Sequence, residues 1–196
     1  MSGSKSKKRL VKIQKTKRYL KVLDFDIETV AAGFADPQWV PQKVTVIAWS
    51  WIGSEKVEVR TRLEKPSPNM MLSWFLEVYE EADMVTGHNL LRFDLPVLNS
   101  EYLRHGYWSL GPKLVQDTMR IVKTKGFKKG QDNIGKLLRL PLDKMPLTWQ
   151  EWQDAYEEKD WATVKERAAS DVLQHKLMRA EMLERGWLLS PRVWKP

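Results

Sequence analysis

No cysteine occurs in the 196 residues. That excludes disulfides, thiolate zinc sites and cysteine nucleophiles, and it fits a cytoplasmic protein. Histidine is scarce: His88, His105 and His175 stand far apart, so a zinc site built on imidazoles is not expected. No apolar run reaches the length of a membrane span, so no membrane partner is expected. The beginning of the chain shows no apolar stretch followed by a cleavage site, and no secretion signal is read there. Residues 1–18 contain no acid at all.

Positive charge is concentrated in that same stretch. Lys5, Lys7, Lys8, Arg9, Lys12, Lys15, Lys17 and Arg18 account for the formal net charge of +8, and the rest of the chain balances acids against bases. Rich in Ser, Gly and Lys, residues 1–18 read as a disordered basic tail. A tail of this kind can grip a phosphate backbone by releasing counterions, or serve as a solubilising or targeting segment. The remainder, 19–196, is long enough for one domain with a real core.

The pattern of apolar residues and turn signals predicts strands over Tyr19 to Thr29, Val44 to Trp51, Lys56 to Leu63, Met84 to Thr86 and Lys113 to Met119. Helices are expected over Met70 to Glu81, Leu95 to Arg104 and Asn133 to Leu138, with a mostly helical last third from Trp149 to Trp187. Pro37 and Pro41 mark a loop between the first two strands. Strands first, then strand–helix alternation, indicate an α/β fold with helices on both faces of a five-stranded sheet.

Three stretches carry acids that this pattern does not explain. In the first strand, Asp26 and Glu28 lie two residues apart, so their side chains share one face of an otherwise apolar strand. Adjacent buried carboxylates repel, and a hard divalent cation resolves the conflict, whereas acids at a strand end facing water need no metal. Asp94 falls where a helix begins, and could be a plain helix cap. Asp171 lies on a helical stripe with Val164, Ala168, His175, Met178 and Met182. A carboxylate in such a stripe needs a partner, either a metal or Arg167 one turn earlier.

Together, Phe25-Asp26-Ile27-Glu28-Thr29, Asn89-x-x-x-Phe93-Asp94 and a late helical Asp171 resemble the DEDD superfamily of 3′→5′ exonucleases. The resemblance spans about residues 20–187 and includes Asn133 to Leu138 as the short helix that precedes the last motif. It implies a ribonuclease H-like mixed sheet and a metal-dependent exonuclease acting on single-stranded nucleic acid with a free 3′ end, DNA slightly favoured. It implies two divalent cations, Mg²⁺ or Mn²⁺, held by Asp26, Glu28, Asp94 and Asp171. Thr29 and Asn89 would contact the terminal nucleotide, and Phe93 would pack beneath the site.

One element departs from the family. The Tyr or His usually found four or five residues before the last Asp is replaced by Arg167 and Glu166. Arg167 cannot act as a base and is a candidate phosphate contact. Glu166 could serve as the base only if the helix begins after it, and His175, one turn beyond Asp171, is a second candidate. A site with no protein base, or a nucleic-acid-binding protein with weak or no catalysis, is the alternative, and a structure-selective endonuclease is a third reading. Trp49 and Trp51 read as core. Trp149, Trp152 and Trp161, and the loop carrying Lys123, Lys125, Phe127, Lys128 and Lys129, are candidate base-stacking and phosphate contacts.

Removing residues 1–18 is expected to weaken oligonucleotide binding and flatten its dependence on salt. Anisotropy titrations at several salt concentrations check this; an unchanged slope would show that the tail does not hold phosphate.

Overall fold

A computed structural model describes residues 19–30, 43–63 and 68–196; the basic stretch 1–18 and the proline loop 31–42 lie outside the described residues. The elements follow in the order β1 (Val22–Val30), β2 (Lys43–Trp51), β3 (Glu58–Thr61), α1 (Pro68–Glu81), β4 (Met84–Gly87), α2 (Asp94–Arg104), β5 (Lys113–Asp117), α3 (Gln131–Leu138), α4 (Trp149–Glu157), α5 (Trp161–Glu184) and β6 (Arg192–Trp194). They form one mixed sheet in the order β3-β2-β1-β4-β5-β6. β3, β2 and β1 pair antiparallel, β1, β4 and β5 run parallel, and β6 returns antiparallel to β5. This is an α/β arrangement compatible with the ribonuclease H-like fold.

The strand period of two divides β1 between two environments. Leu23, Phe25 and Ile27 join α1 and α2 residues such as Phe75, Tyr79, Leu95 and Leu98 in the main core. Phe25 and Phe75 meet with ring centroids 4.9 Å apart. Asp24, Asp26 and Glu28 alternate with them and therefore face the side covered by α5. On that side Val46 and Ala48 of β2 pack with Trp152, Val164, Ala168 and Val172. The predicted apolar stripe is buried as expected, since Val164, Ala168, Asp171, His175, Met178 and Met182 are all inaccessible to solvent.

Two differences from the sequence expectation have local causes. The last helical third is broken in two: Lys159 takes a left-handed conformation (φ 62°), and Asp160 then caps α5 by accepting the Thr163 N–H at 3.2 Å. The sheet also has six strands rather than five. β6 has only three residues, follows Pro191 and is mostly exposed, so it carries no alternating pattern to detect. Trp49 is core, as expected, and Trp51 packs partly buried against the same cluster.

Gly87 ends β4 where no side chain fits. A Cβ there would stand 2.6 Å from the Phe25 carbonyl oxygen and 2.6 Å from Leu90 Cδ2. This close approach lets the chain turn beside β1 directly into the segment carrying Asn89 and Asp94. Gly87→Ala is expected to cost about 1–3 kcal/mol of stability by overpacking. Urea unfolding checks it; an unchanged midpoint would mean that Leu90 and β1 can move aside.

Candidate functional site

Three of the four predicted acids converge. One carboxylate oxygen from each of Asp26, Glu28 and Asp171 lies within 4.8 Å of the others. β1 supplies the first two from one face, and α5, packed across that face, supplies the third. A bulge sharpens the placement: β1 pairs Glu28 with Val46 but Thr29 with Val44, so β2 carries an extra residue at Thr45. The Thr45 hydroxyl donates to the Glu28 carbonyl at 2.9 Å and fixes the end of β1.

Asp94 stands behind this group. It opens α2, and its Oδ1 accepts the Ile27 N–H from β1 at 3.2 Å, so it ties the helix to the strand instead of merely capping its own turn. Its charge also acts on Asp26.

The electrostatics are those of crowded acids. Burial, then the charges of Asp94, Glu28 and Asp171, push the Asp26 carboxyl well above the usual carboxylate range. Burial pushes Asp94 up to about 8. Burial and the Asp171 charge raise Glu28 to about 7. Burial raises Asp171 as well, against the opposing pull of Lys144 and Arg167. Lys144 Nζ lies 2.6 Å from Asp171 Oδ2, and Arg167 approaches the same oxygen at 3.4 Å and Glu28 Oε1 at 3.9 Å. Neither Asp171 oxygen completes a hydrogen bond of normal geometry among the described residues. Two cations against four carboxylates leave the pocket short of positive charge. Hard oxygen donors with spare lone pairs suit Mg²⁺ or Mn²⁺, so the residues present fit a divalent ion.

Arg167 therefore sits at the site, with its guanidinium also donating to the Met145 carbonyl. The two candidate bases do not reach it. α5 begins at Trp161, so Glu166 lies inside a continuous helix, roughly 140° around from Asp171 and exposed to solvent. His175 is committed elsewhere: its Nδ1 lies 2.7 and 2.9 Å from the two oxygens of Asp24, and its Nε2 lies 2.9 Å from the Thr118 hydroxyl. Burial raises the Asp24 carboxyl, and His175 opposes that rise. Thr118 in turn meets His88 Nδ1 at 3.0 Å, so a buried polar chain runs from β1 to the loop after β4.

Thr29, Phe93 and Arg167 line a cavity of about 420 Å³ beside Glu28, with Leu147, Trp149 and Trp152 on its other side. Trp149 is half-exposed at the rim, whereas Trp152 is buried, with no hydrogen-bond partner for its Nε1 among the described residues. Trp161 packs edge-on against Tyr156 and does not line this cavity. Asn89 adopts a left-handed conformation (φ 69°), its N–H donating to Asp117 Oδ1 at 2.9 Å, and it faces a separate cavity.

Lys144 and Asp24 were missed by sequence reasoning. Lys144 comes from a loop with no periodicity, and nothing in the sequence marks it. Asp24 was legible: two residues before Asp26, it must share that residue's face.

No family model and no curated protein matches the chain. Among solved structures it is similar to a family B DNA polymerase from the hyperthermophilic archaeon Pyrobaculum calidifontis, with a TM-score of 0.61 and 19% identity over 85% of this chain. The matched region is 25% of the polymerase, so the chain spans about a quarter of that protein's length. At this identity the likeness establishes a shared fold. No helix among the described residues is long and apolar enough to cross a membrane.

Carboxyls that hold their protons in the fold stabilise it at low pH. An unfolded chain releases those protons above about pH 4, so this stability is lost as pH rises through the range of Glu28 and Asp94. The metal-free protein is thus expected to melt several degrees lower near pH 8.5 than near pH 5, and added Mn²⁺ to stabilise it more at the higher pH. Thermal melts with and without Mn²⁺ check both signs. Asp26→Asn should blunt both effects.

Proposed function

We propose that the chain is a metal-dependent 3′→5′ exonuclease that hydrolyses the terminal phosphodiester of single-stranded nucleic acid, DNA slightly favoured over RNA. The observation that carries this reading is the convergence of Asp26, Glu28 and Asp171 from β1 and α5, with Asp94 electrostatically linked behind them. These four acids would hold two divalent ions. When bound, such ions supply an acidified water as nucleophile and neutralise charge on the departing 3′ oxygen.

The remaining work falls to the chain's own side chains. Thr29 and Phe93 would seat the terminal nucleoside in the cavity beside Glu28, with Trp149 offering a ring for stacking and the buried Trp152 N–H a donor. Asn89, on the loop after β4, faces the neighbouring cavity, so it would meet the strand there and not at the terminal nucleoside. Lys144 and Arg167, which now face Asp171, would turn to the scissile phosphate as it enters. With Glu166 on the solvent side and His175 held by Asp24, neither candidate is placed to act as general base. That arrangement favours the second reading, a binding protein with slow or absent chemistry, should cleavage fail.

Oligonucleotides with a free and with a blocked 3′ end, each incubated with and without Mn²⁺, test the proposal. Mononucleotide release from the free end alone is expected, and Asp26→Asn should abolish it while leaving the circular dichroism spectrum unchanged. Full activity in that variant would refute the metal assignment. Binding without cleavage would favour the second reading, and internal cuts an endonuclease.

A further inference from the structure

A second cavity, of about 270 Å³, opens at the carboxyl-terminal ends of β4 and β5. Arg92, Arg120, Lys129 and Arg192 line it together with Asn89 and Asp117. These four cations come from four separate places: the turn before α2, the segment after β5, the basic loop before α3, and β6. Among the described residues none of the four has a carboxylate partner within ion-pairing distance. The acid in the wall, Asp117, has both oxygens turned to backbone, accepting the N–H groups of Asn89, Leu91 and Met119 at 2.9, 3.1 and 2.9 Å, and its one negative charge is outnumbered by the four cations. Arg120 and Lys129 are partly withdrawn from water, which makes their mutual repulsion costlier than on an open surface.

Four converging cations around a hollow, with the local acid engaged by backbone, call for an anion from outside. Planar guanidinium groups suit phosphate, which they can bind in a two-pronged way. The position selects the kind of phosphate. β1, β4 and β5 are successive neighbours, so the cavity lies roughly 10 Å, two strand spacings, from the carboxylates along the same rim of the sheet. Asn89 belongs to its wall and also precedes the Phe93-Asp94 segment that reaches the site. β6 has a role here, since its pairing with β5 sets Arg192 opposite Val115.

We propose that this cavity binds backbone phosphates of a single strand a few nucleotides upstream of the 3′ end held at the carboxylates. The inference rests on the exonuclease reading for where the 3′ end lies, but its phosphate contacts can be measured without catalysis. Backbone contacts of this kind position a strand without reading its bases.

The test uses the full chain and a variant carrying Arg92→Ala and Arg192→Ala, both at exposed positions, so that folding is spared. Anisotropy is measured with labelled oligothymidylate and oligouridylate of about three and about twelve nucleotides in Ca²⁺. Hydrolysis of the same strands is followed in Mn²⁺. The variant is expected to bind the longer strands about tenfold more weakly, with the salt slope reduced by about 1.4, that is about 0.7 for each lost contact. Its affinity for the shorter strands and its rate of cutting them should not change. Lys129→Ala, a single change, should produce the same length-dependent loss at about half the slope change.

Equal weakening at both lengths, or none at either, would overturn the proposal. If the parent chain cuts nothing but the variants still lose affinity for the longer strands with the expected change in slope, the exonuclease reading fails and the phosphate cavity stands. If the parent cuts normally and the variants bind the longer strands like the parent, the cavity fails and the exonuclease reading stands.

Discussion

The repulsion among crowded, wholly or partly buried acids on one face of β1 governs this molecule. A strand flanked by helices on both sides ordinarily buries apolar groups on both faces. Here Asp24, Asp26 and Glu28 occupy every second position, and each must be compensated from elsewhere in the chain. His175 answers Asp24. Asp94, itself an acid, is anchored by the Ile27 backbone. Lys144 and Arg167 partly answer Asp171 and Glu28. The set Asp26, Glu28 and Asp171 is left only partly compensated, and that unbalanced charge is where chemistry can be placed.

The balance between structure and site is visible along α5. Ala168, Val172 and Met178 fasten the helix by burial, while Asp171 and His175 meet β1 through charge and hydrogen bonds. Because apolar packing holds α5 on either side of Asp171, the acid can stay close to Asp26 and Glu28 although they repel it. The turn at Lys159 and the cap at Asp160 set where α5 begins and hence which residues share Asp171's face. This register puts Arg167 at the site and Glu166 in solvent.

Much of this was legible in the sequence. The pair Asp26 and Glu28 declared itself because a period of two leaves no doubt about a shared face. Asp171 declared itself as one charge in an apolar helical stripe. What was not legible has a common cause, since each missed feature depends on contacts between distant segments. The pairing of His175 with Asp24 joins residues at opposite ends of the chain. Lys144 lies in an irregular loop, and β6 is too short for any pattern. Glu166 hinged on where a helix starts, a boundary set by a left-handed residue that no rule assigns to lysine. The fold class was secure for the opposite reason, as it follows from alternation repeated over many residues.

The two outer strands of the sheet have a consequence for how copies of the chain meet. β3 is four residues long and bears Glu58 and Arg60, and β6 is three residues long, bounded by Pro191 and bearing Arg192. Short, charged margins give an incoming chain little unpaired backbone to zip onto. Growth of the sheet from one molecule into the next is thereby discouraged, and crowding in a concentrated solution should not convert these molecules into ribbons.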